Sequence, residues 1–302
     1  MGPPDTRPRT IAGALAAATG RLRTTAAPTP RLDVEVLLAH ATGRDRAWVL
    51  AHPEAPLVEA DAFESAIERR AAGEPIAYIR GYREWRSLRI RTDARALVPR
   101  PETELLVDAA IEEIARRLAA DARTLVAWEV GVGSGAVAVA LALRFRQALA
   151  LGRLTLVGSD ASPEALELAA ENLAAHGVQA LVQLACADLL EPAGVSLPRP
   201  DVVVANLPYV PTAEVEAADG WLAFEPRAAL DGGADGLDLV RRLVGDLPGR
   251  TAPGATALLE IGAGQADAVR GMVPAGTDVA LRTDLAGHER VVRIGLAHSS
   301  PS

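Results

Sequence analysis

Lysine is absent from this chain of 302 residues, in which all 31 basic side chains other than histidine are arginine. The absence excludes mechanisms that need a lysine amine, including Schiff bases, pyridoxal phosphate attachment and the lysine of a Walker phosphate loop. Cysteine occurs once, at Cys186, so no internal disulfide and no multi-cysteine metal site can form. No partner residue suggests thiol chemistry, and we expect Cys186 to be a small buried side chain.

Long apolar runs and an excess of positive charge are also lacking. No apolar run reaches the ~18 residues that span a bilayer, so we expect no membrane contact and a cytoplasmic location. The net charge of −8 argues against a surface built to bind nucleic acid. A local cluster of arginines favours either a solvated hairpin or a docking surface for an acidic partner. It comprises Arg80, Arg83, Arg86, Arg89, Arg91, Arg95 and Arg100.

The length suggests two domains at roughly 150 residues each. Residues 8–75 have helical spacing with short loops: Asp33 can cap a helix that closes near Gly43, and Phe63 and Ile67 lie on one face of another. We therefore predict a small helical domain there. Residues 76–99 contain short, arginine-rich, extended-looking runs, which predict a β-hairpin linker.

Residues 100–297 alternate apolar β-like runs with helical stretches, a pattern typical of a parallel sheet with crossover helices. We predict a doubly wound α/β domain with seven strands. The predicted strands cover residues 125–130, 154–159, 181–185, 202–205, 255–261, 279–282 and 291–294.

A glycine-rich turn follows the first of these strands and precedes a helical run. Glycines let the chain turn tightly and let a ligand approach the backbone amides at a helix start. A nucleotide-like ligand fits such a turn, although many α/β proteins have one without that role, and the glycines do not exclude a dinucleotide. The segment comprises Glu129, Val130, Gly131, Val132, Gly133, Ser134 and Gly135.

Acidic residues end the next two strands. Asp160 is placed to accept hydrogen bonds from the ribose hydroxyls of a nucleoside, although Asp160 or Ser162 could equally cap the following helix. Asp188 could bond an adenine amino group while Leu189 packs on the ring. By itself, Asp188 is more often a turn residue.

The most specific motif is Asn206-Leu207-Pro208-Tyr209, directly after an apolar strand. A planar amino or amide nitrogen is a poor nucleophile because its lone pair is delocalised. The Asn206 side-chain oxygen and the Leu207 carbonyl can each accept one N–H and so aim the lone pair at a methyl donor. Pro208 stiffens the turn and Tyr209 offers a flat stacking face. An ordinary Asn-Pro turn is the alternative interpretation.

Taken together in chain order, these motifs resemble S-adenosylmethionine-dependent methyltransferases, and most closely the HemK/PrmC family of release factor glutamine methyltransferases. The resemblance covers most of the chain and includes Glu260 and Gly262. Further matching segments are Pro-Ile-Ala-Tyr at 75–78, Gly-Tyr-Arg-Glu at 81–84, Val-Pro-Arg-Pro-Glu-Thr-Glu at 98–104, Phe-Glu-Pro-Arg at 224–227 and Ala-Leu-Asp-Gly-Gly-Ala-Asp-Gly-Leu-Asp at 229–238.

The resemblance implies a helical N-terminal domain that helps to recognise a peptide chain release factor, a hairpin, and a Rossmann-like methyltransferase domain over 100–297. It implies methyl transfer from S-adenosylmethionine to the glutamine amide of a Gly-Gly-Gln loop, leaving S-adenosylhomocysteine, with no metal. The residues expected to bind the cofactor are Glu129, Gly131, Val132, Gly133, Ser134, Gly135, Asp160, Asp188, Leu189 and Asn206. Those expected to hold the glutamine are Asn206, Leu207, Pro208 and Tyr209.

The chain departs from the family pattern at two places. Leu207 replaces the first proline of the usual Asn-Pro-Pro-Tyr, and the loop has Glu129 and Val132 where aspartate and threonine are usual. Three alternatives stay open: a related N-methyltransferase acting on a small molecule or another protein, an RNA adenine N-methyltransferase, and a non-catalytic nucleoside-binding protein. The acidic charge and the match at 224–238 disfavour RNA.

Overall fold

A computed structural model describes residues 10–218 and 220–297, which form two compact units. One unit holds the described residues up to Tyr82 together with the short segment Ala218–Phe224, and the other holds Arg83–Ala217 and the described residues from Glu225 onward. Residues 8 and 9 of the predicted helical domain lie outside the described part of the chain. No helix in the described ranges is long and apolar enough to cross a membrane.

The first unit is helical. Thr10 caps its first helix by accepting a hydrogen bond from the Gly13 amide, and Gly43 ends the second in a left-handed conformation. Its core is built from fully buried aliphatic side chains such as Leu22, Leu37 and Ile67. The helices are α1 Ile11–Leu22, α2 Pro30–Thr42, α3 Arg46–Ala51, α4 Ala60–Ala71 and α5 Ile76–Arg80.

Two local predictions for this unit are wrong. Asp33 does not cap α2, because the helix already begins at Pro30, and the buried Asp33 carboxylate instead accepts a hydrogen bond from Arg70 at 2.7 Å. Residues 76–80 are helical and not extended. Pro75 precedes that short helix with φ −57° and Gly81 ends it at φ 75°, so the predicted hairpin segment begins with a helical turn.

The hairpin itself is short, with β1 Tyr82–Trp85 and β2 Leu88–Arg91. Its two-residue turn holds Arg86 and Ser87 at positive φ, as tight hairpins of this length require. The backbone N–H and C=O of Arg91 pair with the side chain of Asn172, which also donates to the Ser134 carbonyl oxygen at 2.8 Å. A single buried asparagine therefore ties the end of β2 to the glycine-rich turn.

Most of the clustered arginines bind carboxylates of the same chain. Arg86 pairs with Asp108 and Arg91 with Glu171, while Arg95 contacts both Asp93 and Glu171. Arg100 pairs with Glu225, and the guanidinium of Arg80 lies over the Tyr82 ring. These contacts favour a structural role for the cluster over a docking surface.

The second unit is an α/β domain built on an eight-stranded sheet with the order β6-β5-β4-β3-β7-β8-β10-β9. The strands are β3 Leu125–Val130, β4 Leu154–Asp160, β5 Val182–Asp188, β6 Glu191–Pro192, β7 Val202–Asn206, β8 Thr256–Glu260, β9 Asp278–Thr283 and β10 Glu289–Gly295. Its helices are α6 Thr103–Ala120, α7 Ala136–Arg144, α8 Arg146–Ala150, α9 Pro163–Ala175, α10 Thr212–Glu216, α11 Asp238–Arg250 and α12 Ala266–Arg270, and short 3₁₀ turns lie at Gln179–Leu181 and Arg227–Ala229; the 3₁₀ turn Gly220–Phe224 belongs to the first unit.

The predicted fold class is confirmed. All seven predicted strands are present, and the eighth, β6, has two residues. Strands β5, β4, β3, β7 and β8 are parallel, and β10 runs antiparallel between β8 and β9. Separate apolar clusters cover the two faces of the sheet. The chain moves from β3 outward to β4 and β5, then returns to the other side at β7, so the ends of β3 and β7 border the crevice where such sheets bind ligands.

One prediction about the sheet is wrong. Cys186 is exposed and not buried. It lies in β5, where side chains alternate between buried and exposed positions towards the carboxyl end of the strand, because only one face of this outer strand is covered.

Candidate functional site

The glycine-rich turn joins β3 to α7 and contacts the Asn206 motif. Gly131, Gly133 and Gly135 all have positive φ, at 74°, 51° and 78°. A Cβ on Gly131 would lie 3.3 Å from Cδ2 of Leu207 and 3.7 Å from the carbonyl oxygen of Asn206. The absence of a side chain at Gly131 therefore lets the two motifs lie against each other.

Asp160, at the end of β4, holds this turn. Its Oδ2 accepts a hydrogen bond from the Gly133 amide at 2.9 Å, and its Oδ1 accepts one from the Ser162 amide at 3.0 Å. Ser162 is the residue that caps α9, through a bond from the Ala165 amide to its Oγ at 3.1 Å. Of the two interpretations open for Asp160, the structure therefore assigns the helix cap to Ser162.

Glu129 lies in β3 beneath the turn and is only 4% exposed. Its Oε2 atom has no hydrogen-bond partner among the described residues. Burial raises the pKa of Glu129 well above its ordinary value, and the negative charge of Asp160 adds to the rise. The site thus contains a buried polar oxygen that the described part of the chain leaves unsatisfied, a costly arrangement that a bound polar group would relieve.

Asp188 and Leu189 follow β5. Leu189 is buried and has φ 54°, an uncommon conformation for a residue other than glycine. The Asp188 carboxylate is exposed and pairs with Arg242 at 2.7 Å. A bond from Asp188 to an adenine amino group would have to be made beside this ion pair or in place of it.

Asn206 ends β7, and its backbone carbonyl oxygen lies next to the glycine-rich turn. Its Nδ2 donates to Oγ1 of Thr103 at 3.0 Å, which directs the Oδ1 atom away from Thr103. The carbonyl oxygen of Leu207 accepts no backbone hydrogen bond from the described residues. Two neighbouring acceptors are therefore available to an incoming N–H₂ group.

Pro208 and Tyr209 are held by the segment 231–238, here called the glycine clamp. A Cβ on Gly232 would lie 2.6 Å from the Pro208 carbonyl oxygen, and one on Gly236 would lie 2.2 Å from that of Tyr209. The Gln265 side chain donates to the same Tyr209 oxygen at 3.1 Å. Burial raises the pKa of the Tyr209 phenol to about 12, so it is neutral at ordinary pH.

The sequence assigns no role to two buried carboxylates, Glu225 and Glu260. The fully buried Glu225 side chain accepts hydrogen bonds from the Val98 amide at 3.2 Å and from Arg100 at 2.7 Å. Glu260 pairs with Asn206 in the register of β8 and β7, and neither of its carboxylate oxygens receives a hydrogen bond of full geometry from the described residues. In the sequence, both residues are marked only by lying in segments that match the family. Their partners are far away in the chain, so the contacts could not be predicted from neighbouring residues.

The predicted site residues are thus brought to one edge of the sheet. The turn at 131–135, Asp160 and Asn206 to Tyr209 form one connected set, with Thr103, Glu225 and Glu260 as additional members. Asp188 and Leu189 lie at the carboxyl end of β5, next to the strand that carries Asp160. This edge offers a backbone cradle, carboxylates at the ends of two neighbouring strands, and a pair of acceptors for a nitrogen.

Comparison with known proteins identifies the family of the chain. Residues 13–81 match the family model described as the PrmC N-terminal domain. The chain is 41% identical over 289 residues to a release factor glutamine methyltransferase of Deinococcus radiodurans, covering 92% of this chain and 96% of that protein. It is 38% identical over 287 residues to one from Moorella thermoacetica, covering 93% and 96%.

Among solved structures, the catalytic domain of hMettl16 in complex with a MAT2A 3'UTR hairpin superposes with a TM-score of 0.50 and 11% identity. The match covers 80% of this chain and 83% of that one. At this level of identity, the likeness concerns the fold alone.

Proposed function

We propose that this chain, which belongs to the release factor glutamine methyltransferase family, methylates the glutamine side chain in the Gly-Gly-Gln loop of a peptide chain release factor. Membership makes it a protein-glutamine N-methyltransferase. The cofactor, the acceptor loop and the residues that hold them are the parts of the proposal that rest on the site described above.

The proposal rests mainly on two oxygen atoms, the Asn206 Oδ1 and the Leu207 carbonyl oxygen. The Asn206 Nδ2 atom bonds Thr103, and the Leu207 oxygen accepts no backbone hydrogen bond from the described residues. If each oxygen accepts one N–H of the glutamine amide, the nitrogen plane is fixed and its lone pair faces the methyl donor. Alignment of reacting atoms can contribute ~7–11 kcal/mol to lowering a barrier. Leu207 stands where the family pattern has its first proline. Both residues have a backbone carbonyl, so the acceptor is present in this chain as well.

Tyr209 supports the same role. Its phenol is neutral, its side chain is half-buried, and its backbone is held by Gln265 and the glycine clamp. A rigid aromatic face beside two acceptors can stack on a planar amide. In this proposal, Asn206 and Leu207 orient the glutamine and Tyr209 packs on it.

The residues present fit S-adenosylmethionine as the methyl donor. The turn at 131–135 forms a backbone cradle with three glycines at positive φ, the Asp160 carboxylate accepts a hydrogen bond from the Gly133 amide, and the buried Oε2 of Glu129 lacks a partner among the described residues. When bound, the cofactor supplies an electrophilic methyl group. We assign the cradle of Gly131, Val132, Gly133, Ser134 and Gly135 to its methionine part, Asp160 to the ribose, Asp188 and Leu189 to the adenine, and Glu129 and Asn206 to neighbouring contacts.

The helical unit is assigned the binding of the protein substrate. Its match to the PrmC N-terminal domain supports a role in recognising the release factor. An enzyme with such a substrate acts in the cytoplasm, where translation ends, and needs neither a membrane nor nucleic acid as a direct substrate.

The test is incubation with S-adenosylmethionine labelled in its methyl group. We expect label on the intact release factor and none on the same factor with the loop glutamine replaced by alanine, or on RNA. Label on the replaced factor would contradict the proposed acceptor.

The role of Asn206 is tested in the same assay. Because Asn206→Ala removes one of two orienting acceptors, we expect at least a ~100-fold fall in the rate of transfer. Circular dichroism and the melting temperature of the variant would check that it still folds. A folded variant with wild-type turnover would refute the assignment.

A further inference from the structure

The side-chain amide of Asn206 can serve the proposed reaction in only one orientation. Its oxygen accepts an N–H of the substrate, whereas its N–H₂ group is a donor and would oppose the substrate's own donors. The two ends are nearly equal in size, so steric packing alone selects between them weakly. The protein therefore needs a polar contact that distinguishes the nitrogen from the oxygen.

Thr103 provides such a contact. It is the first residue of the 18-residue helix α6, is 5% exposed, and accepts the Asn206 Nδ2 hydrogen bond at 3.0 Å. Buried side chains Leu106, Val107 and Ala110 anchor the helix that carries it. The position of the hydroxyl is accordingly set by a rigid element and not by a loop.

A threonine hydroxyl can also donate, and a donating hydroxyl would favour the opposite amide orientation. Glu260 is a buried carboxylic acid close to both residues. It is 1% exposed, lies in register with Asn206, and has its pKa lowered in part by the side chains of Thr103 and Asn206, although no donor among the described residues reaches its oxygens with full hydrogen-bond geometry. Whether ionised or protonated, a carboxyl group keeps an acceptor oxygen, which attracts the Thr103 proton and leaves the lone pairs of Oγ1 for Asn206 Nδ2.

We propose that Thr103, oriented by Glu260, is a positioning residue that holds the Asn206 amide with its oxygen towards the substrate. The inference rests on the proposed function, since it concerns how the same acceptor is presented. It also gives a role to Thr103, which lies in the matching segment 98–104.

The kinetic test compares two substitutions. Thr103→Val keeps the shape and removes the hydroxyl, so we expect kcat for release factor methylation to fall about 10-fold or more, as loss of one directing hydrogen bond implies. Thr103→Ser keeps the hydroxyl and should stay within roughly 3-fold of the wild type.

A matched control is Thr256→Val. Thr256 is also buried and bonds Glu113 and Arg117, but it lies at the opposite end of β8 from Glu260. We expect this variant to lose stability with kcat unchanged. If Thr103→Val and Thr103→Ser have the same kcat, the inference is overturned.

A second measurement does not depend on the acceptor. The chain has two asparagines, Asn172 and Asn206, so selective ¹⁵N labelling of asparagine gives two side-chain amide groups in an NMR spectrum. We expect Thr103→Val to speed hydrogen exchange and shift the signal of Asn206 while leaving Asn172 unchanged. Unchanged Asn206 signals would overturn the inference even if the wild type fails to methylate a release factor, a failure that would contradict only the proposed function.

Discussion

Glu260 is a single side chain whose burial makes stability depend on pH. Burial raises its pKa from 4.5 to about 7, with a further rise from Glu102 and a partial offset from Thr103, Asn206 and Arg290; Tyr209 faces it as well. The unfolded chain then releases this proton at lower pH than the folded protein. The stabilising contribution of the group is full below about pH 4.5 and is lost as pH rises to about 7.

We therefore expect Glu260→Gln to raise the free energy of unfolding relative to the wild type, and more so at pH 8 than at pH 5. The difference between the two conditions should be roughly 2–3 kcal/mol, because one pKa unit corresponds to about 1.4 kcal/mol. Urea unfolding followed by tryptophan fluorescence would measure it.

Glu113→Gln is the control for that experiment. Three donors, Arg116, Arg117 and Thr256, outweigh burial and lower the pKa of Glu113 to about 2, so it is ionised at both values of pH. Its substitution should change stability by the same amount at pH 5 and pH 8. A constant effect of Glu260→Gln across this range would contradict the raised pKa.

At the scale of elements, the glycine clamp contacts the backbone of Pro208 and Tyr209 and so limits the conformation of the Asn206 motif. Its Asp231 carboxylate accepts hydrogen bonds from Thr212 at 2.7 Å and from the Gly233 amide at 3.0 Å. The backbone at Val210 bonds both Leu230 and Gly232. The clamp is therefore internally braced and lies directly on the backbone of the Asn206 motif.

Gly236→Ala should disturb this contact. Gly236 has φ 76° and a Cβ there would lie 2.2 Å from the Tyr209 carbonyl oxygen, so we expect strain of about 1–2 kcal/mol from the backbone conformation plus displacement of Tyr209. Methyl transfer should fall at least ~10-fold, since small misplacements of reacting groups are costly.

Gly287→Ala is the control that separates backbone strain from displacement of Tyr209. Gly287 has φ 85°, but a Cβ added there would have no atom within 4 Å, so its substitution should lower stability by about 1–2 kcal/mol and leave activity at the wild-type level. Melting temperatures and initial rates of both variants would be compared. Equal loss of activity in the two variants would exclude a specific role for the clamp.

Prediction of elements from the sequence succeeded where local periodicity and burial agree. The apolar runs of β3 and β7 are buried on both faces of the sheet, and each was found within a residue or two. It failed at residues 76–80, where a helix of one turn is too short to show a period. It also failed for Cys186, because exposure of an outer strand depends on what else covers the sheet.

At the scale of the whole molecule, the two units have separate apolar cores. Leu37 is fully buried in the helical core and Leu156 is 1% exposed in the sheet core. Either leucine changed to alanine should lower the stability of its own unit by about 2–5 kcal/mol. Each substitution should therefore destabilise the unit that contains it and leave the stability of the other unit unchanged.

We expect Leu37→Ala to keep wild-type affinity for S-adenosylhomocysteine and Leu156→Ala to reduce it, since β4 carries Asp160 at its end. Isothermal titration calorimetry below the first unfolding transition would measure both. An equal loss of affinity in the two variants would show that the helical unit also supports the nucleoside site.

The sequence by itself determined the α/β class, the order of the strands along the chain and the motif positions, because these follow from hydrophobic periodicity and from residues adjacent in the chain. It also excluded lysine and multi-cysteine chemistry outright. The tertiary structure alone decided that Ser162 and not Asp160 caps α9, that most arginines of the 80–100 cluster pair internally, and that Thr103 and Glu260 meet Asn206. These outcomes depend on which of several possible partners each donor and acceptor meets in the folded chain, and no pattern in the sequence records that competition.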